Sequence, residues 1–75
     1  MTIRKFKPGN WVRHKMGGPV MEVIRYETER KPLVGEVLSE HDVLCVWYED
    51  GERKKGVFDQ RTLFKTNKPK GIFKT

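Results

Sequence analysis

The sequence predicts an all-β domain: a small, partly open barrel of four to five antiparallel strands with one late helical turn. Three observations point there. The chain has no alanine, while eight valines, three isoleucines and five threonines supply β-branched side chains that lose rotamer freedom in helices and pack well on pleated surfaces. Its apolar residues fall in short runs divided by Pro, Gly, Asn and Asp, which is turn chemistry. At 75 residues it makes one domain (1–75, compact over about 8–64, with a basic tail over 65–75), near the size at which a single core only just offsets the entropy of ordering the chain.

Lys7-Pro8-Gly9-Asn10, the first element, reads as a turn, because proline presets φ at its second position and glycine and asparagine tolerate the conformations needed at the next two. Trp11 to Met16 then fits a first strand, with Val12 and His14 on one face and Trp11, Arg13 and Lys15 on the other. Gly17-Gly18-Pro19 breaks it, since the glycines reach positive φ cheaply and Pro19 lacks a ladder N–H. Val20 to Tyr26 is the second strand, with Met21 and Val23 on one face and Val20, Ile24 and Tyr26 on the other.

Residues 27–41 read as a long connection interrupted by Pro32 and Gly35, holding at most a short strand around Val34 to Leu38. Asp42 to Glu49 is an almost continuous apolar run suited to a central strand, and Trp47 is expected to fill the core. Asp50-Gly51 is the dipeptide of a two-residue type I′ hairpin, so Glu52 to Phe58 should pair back antiparallel. Asp59 can cap a single helical turn that brings Leu63 onto the core. Ile72-Phe73 is a last short strand or a frayed end. The simplest closure for such a set is an SH3-like barrel.

Charge divides the chain more sharply than its net value of +6 shows. Residues 1–21 and 60–75 each carry five Lys/Arg and no acid, whereas 22–59 holds all ten Asp/Glu against six Lys/Arg. Because the termini of small domains often lie close together, the two basic ends are expected to merge into one positive patch. Cys45 is the only cysteine, which removes an internal disulfide and any multi-cysteine zinc site and suits a reducing, cytoplasmic setting. Without a signal-like or membrane-length apolar run, secretion and membrane contact are not expected.

The stretch PGNWVRHKMGGPVMEV, with VLCVWYEDGERKKGVFDQRTL later in the chain, resembles the YodC-like family of small bacterial proteins. The matching residues are Gly9, Val12, Lys15, Gly17, Gly18, Pro19, Met21, Val23, Cys45, Trp47 and Leu63. Asn10, His14, Met16 and Glu22 depart from the family's Asp, Leu, Ser and Thr. The resemblance spans residues 8 to 63 apart from 27–41. It implies an SH3-like fold, and no activity or cofactor.

Candidate chemistry is sparse. A phosphate cradle at Gly17-Gly18-Pro19 would lead into a helix with a Lys-Ser/Thr pair, but a strand comes next, so the corner reads as structural. Cys45 sits between Leu44 and Val46 and reads as a buried, unreactive thiol. Two distant histidines and one cysteine give no metal-ligand spacing; His14 is expected at the core edge with a hydrogen-bond partner and His41 in a loop. Ser39 is the sole serine, and the acids Glu49, Asp50 and Glu52 surround a solvated hairpin. No enzyme, metal, cofactor or small-molecule substrate is expected.

The basic ends are the stronger signal. Arg4, Lys5, Lys7, Arg13, Lys15, Arg61, Lys65, Lys68 and Lys70, with Trp11 and Phe64 interleaved, have the makeup of a phosphate-binding surface with stacking platforms. Nucleic acid, or a protein complex on nucleic acid, is the leading expected partner. The alternative is a protein or peptide partner held by a groove lined by Trp11, Tyr26 and Tyr48, or by an exposed sheet edge.

Overall fold

Turn residues decide where this chain reverses, and strands fill the intervals between them. The computed structural model describes residues 3–68. Its elements are β1 (Trp11–His14), β2 (Val20–Lys31), β3 (Gly35–Glu49), β4 (Glu52–Asp59), a 3₁₀ turn (Gln60–Thr62) and β5 (Leu63–Thr66). All pairings are antiparallel, and the sheet order is β4-β3-β2-β1-β5. Four consecutive strands form a meander, and the last returns beside the first through the 3₁₀ turn. That curled, partly open sheet is the all-β barrel expected from the sequence.

Each turn works through its residue types. At Lys7–Asn10, the Asn10 N–H donates to the Lys7 carbonyl (3.0 Å) while Asn10 Oδ1 accepts from the Lys7 N–H (2.9 Å). Gly17 and Gly18 sit at φ 103° and 116°, a region closed to most side chains, and the Gly17 N–H donates to His14 O (2.9 Å). This bond ends β1 at His14, two residues before the expected Met16. Asp50 and Gly51 both have positive φ (52° and 78°), as a type I′ hairpin requires, and close the Glu49–Glu52 pair. Asp59 caps the 3₁₀ turn by accepting the Arg61 N–H at 2.8 Å.

The expected loop over 27–41 is instead paired backbone. β2 and β3 continue past the barrel as a two-stranded ribbon, Thr28–Lys31 against Gly35–Leu38. Pro32 and Gly35 do not interrupt a strand; they bracket the tip, where Leu33 adopts φ 71°. Three apolar residues of this segment are exposed: Leu33 completely, Val34 at 69% and Leu38 at 47%. The arm contributes to the elongated shape, 45 × 21 × 19 Å.

Two irregularities between β2 and β3 also reset the faces. The register shifts between Val23 and Arg25, so Ile24 is an extra residue and Tyr26 turns inward to join Met21 and Val23, at 5% exposure. Tyr26 therefore does not share the outer face with Val20 and Ile24, since a bulge inverts the alternation beyond it. The second shift spans Ser39–Asp42, where Ser39 Oγ accepts the N–H groups of His41 (3.1 Å) and Asp42 (3.0 Å) and kinks β3.

Phe6, Val12, Met21, Val23, Tyr26, Val43, Cys45 and Leu63 form the core. Full burial of one such aliphatic side chain contributes roughly 1.5–3 kcal/mol. Trp47 is not in the core as expected. It is half-buried, tilted against Phe58 with ring centroids 5.9 Å apart, and packs against the core together with that ring. Gly56 lies beneath both rings: a Cβ there would come within 3.2 Å of Phe58 and 3.3 Å of Trp47. No helix among the described residues is long and apolar enough to cross a membrane. Ile72-Phe73, expected as a last strand or frayed end, lies outside the described residues.

Candidate nucleic-acid interface

Pairing of β1 with β5 brings the two acid-free segments side by side. The partners are Trp11↔Thr66, Val12↔Lys65, Arg13↔Phe64 and His14↔Leu63. Directly opposed residues share a face, and Val12 and Leu63 are buried. Trp11, Arg13, Phe64 and Thr66 therefore lie on the outer face of the sheet. Lys65 falls on the core-side face but at the edge strand, where it is exposed.

The same alternation carries the outer face across the sheet. Trp11 opposes Glu22, Glu22 opposes Val46, and Val46 opposes Lys55. Two residues further along, Tyr48 opposes Arg53. Phe64 and Tyr48 are each 44% exposed. The outer face thus presents the rings of Trp11, Tyr48 and Phe64 among Arg13, Arg53 and Lys55, with Glu22 as the one acid in the row between Trp11 and Lys55. Sequence reasoning missed Arg53 and Lys55. The signal was available in the Asp50-Gly51 hairpin, whose register puts these two on the face of Tyr48 and Val46.

Not every predicted cation is available. Arg4 belongs to the architecture: its Nε and Nη2 donate to the carbonyls of Ser39 and Leu38, both at 3.0 Å, and its guanidinium sits 5.8 Å from the Tyr26 ring centroid. Arg61 is committed to Asp59 by two side-chain hydrogen bonds, at 2.9 and 2.6 Å. These bonds, with the Arg61 backbone N–H, hold the Asp59 carboxyl well below the usual carboxylate range. A cation so paired offers little to a phosphate. By contrast Lys5, Lys7, Arg13, Lys15, Lys65 and Lys68 are exposed, and none makes an ion pair among the described residues. Arg13 is braced by donating from Nε to the Gly18 carbonyl at 2.9 Å. Lys70 lies outside the described residues.

A buried network anchors the basic N-terminal segment. Gln60 is 1% exposed; its Nε2 donates to Ile3 O (3.0 Å) and its Oε1 accepts the Lys5 N–H (3.1 Å). Tyr26 donates its hydroxyl proton to the same Oε1 and accepts the Phe6 N–H at 3.1 Å. Tyr26 is therefore an internal strut, which removes it from the peptide groove expected in the alternative reading. Trp11 and Tyr48 stay on the outer face.

The remaining reactive residue types are engaged structurally. Burial pushes the Cys45 thiol up to about 12. His14 Nδ1 accepts the Met16 N–H (3.0 Å) and its ring meets Phe58 edge-on, the edge-of-core placement expected. Ser39 Oγ holds the β3 kink. His41 does not lie in a loop: it belongs to the kinked stretch of β3, with Nδ1 buried and unbonded. A concavity of about 360 Å³ opens at this kink, and Glu29, Glu40, Asp42 and Asp59 outnumber Lys31 and His41 on its walls. Its polarity is opposite to that of the β1–β5 side. Among the described residues, no group of three or more His, Cys, Asp or Glu side chains is placed to hold a metal ion.

No family model, curated protein or solved structure matches this chain.

Proposed function

We propose that this protein is a non-enzymatic module that contacts nucleic acid, free or within a nucleoprotein complex, through the β1–β5 side of the barrel and the outer sheet face beside it. The observation that carries the reading is the β1–β5 pairing. It joins two basic segments from opposite ends of the sequence and sets Arg13 beside the exposed ring of Phe64. Cations without acidic partners attract a polyanion by releasing its condensed counterions. The acidic concavity lies at the kink, so the charge distribution orients a polyanion toward the basic side. The free buried thiol fits a cytoplasmic setting. The resemblance to the YodC-like family supplies a fold for this proposal and no activity.

The test is anisotropy titration of a labelled oligonucleotide across a salt series. The affinity is expected to fall with a log–log slope of about −0.9 for each phosphate neutralised on duplex DNA, or about −0.7 on a single strand. Replacing Arg13, Lys65 and Lys68 together by alanine should flatten that slope by two to three such increments while the circular dichroism spectrum stays unchanged. Absence of binding at low salt contradicts the proposal.

A second reading has its own observation. The ribbon over residues 28–38 has unpaired outer edges among the described residues, and Leu33, Val34 and Leu38 are exposed on it. Such an edge accepts a partner's strand. Binding of that kind would be nearly insensitive to salt, and charge reversal at Arg13 would leave it unchanged.

A further inference from the structure

Resting on the nucleic-acid reading above, we infer that the outer sheet face takes single-stranded rather than duplex nucleic acid, with the rings of Phe64, Tyr48 and Trp11 as platforms for unstacked bases. Phe64 and Tyr48 are each 44% exposed on the paired sheet. Each has a guanidinium directly opposite it in the register: Arg13 faces Phe64 and Arg53 faces Tyr48. Trp11 adds a third, half-buried ring on the same face, diagonal to Phe64 across the β1–β5 pair.

Each end of the face therefore pairs a π surface with a cation, the arrangement that holds a base and its phosphate together. A duplex cannot use it. Its bases are stacked inside and it presents phosphates to the outer curve of the sheet, so exposed rings would add nothing to its binding. Neighbouring strands lie about 4.8 Å apart, so the path from β5 to β3, three strands over, measures about 14 Å. That span suits two or three splayed bases and not a longer tract.

The experiment compares a labelled short oligothymidylate with its duplex on oligoadenylate at one low salt concentration, using the full chain and the variants Phe64→Ala and Tyr48→Ala. The single strand is expected to bind at least about tenfold more tightly than the duplex, and each ring removal to weaken it about 5- to 150-fold, the range for one stacked base. The duplex affinity should change less than about twofold in either variant. Phe64→Leu and Tyr48→Leu keep apolar volume without a π face; they should reproduce the loss, and they serve where an alanine variant does not fold. If the duplex binds as tightly as the single strand and the ring variants match the parent chain, this inference is overturned while the nucleic-acid reading stands. If neither probe binds, both fail together.

Discussion

At the scale of single residues, the side chains most easily mistaken for chemistry are the ones that hold the barrel. Cys45 lies wholly buried between β2 and β4, and its thiol stays protonated because an anion there would lose its hydration. An aromatic disulfide reagent is expected to leave it unmodified in the native state and to modify it on unfolding in denaturant. Ready native-state labelling would show that the strand is not covered. The folded thiol titrates at about 12 against an ordinary 9.0. Between those values the unfolded chain releases a proton that the folded chain retains, so stability falls as pH rises through this window. Cys45→Val, which keeps a small apolar group, should remove this contribution to the alkaline decline. Gly56 is another structural choice, its bare Cα making room for the Trp47 and Phe58 rings. Gln60 and Tyr26 are a third, since together they satisfy three polar groups of residues 3–6 that the barrel would otherwise leave without partners.

At the scale of elements, the ribbon between β2 and β3 is the least economical part of the molecule. Four residue pairs of backbone extend roughly 13 Å, and the tip holds a fully exposed leucine in the left-handed region. An L side chain in that conformation costs about 1–2 kcal/mol, and Leu33 recovers none of it through burial. Leu33→Gly is expected to raise stability by about 1 kcal/mol in urea titration, because glycine takes this φ freely. A loss of stability would mean that the leucine packs in a way its exposure does not show.

The ribbon also marks where the sequence ceases to be legible. Residues 27–41 mix charged and apolar types without a clean two-residue period, because neither ribbon face is covered and no core imposes alternation. The bulge at Ile24 was equally silent: an inserted residue leaves no compositional mark, and it alone turned Tyr26 from the outer face to the inner one. Arg4 read as one more surface cation because nothing in its neighbours anticipates the Ser39 kink that it latches. By contrast, the corners at Lys7–Asn10, Gly17-Gly18-Pro19, Asp50-Gly51 and Asp59 were readable, since each depends on a local conformation that few residue types adopt.

At the scale of the whole molecule, the central claim is one of placement. Basic segments from opposite ends of the chain lie together because β5 returns beside β1, whereas Glu29, Glu36, Glu40, Asp42 and Asp59 gather at the β3 kink and along the ribbon, with Glu22 on the outer face and Glu49, Asp50 and Glu52 at the β3–β4 hairpin. The resulting polarity gives a polyanion one favourable approach, across the β1–β5 side and the ring-bearing face next to it. The most direct test maps amide chemical shifts of the isotopically labelled protein while a short oligothymidylate is titrated in at low salt. The account predicts that the perturbed amides gather on Trp11–Arg13, Phe64–Thr66 and the neighbourhood of Tyr48 and Arg53, leaving the ribbon tip and the kink unmoved. Shifts centred on Leu33 and Val34, or on the concavity around His41, or no shifts at all, would contradict it.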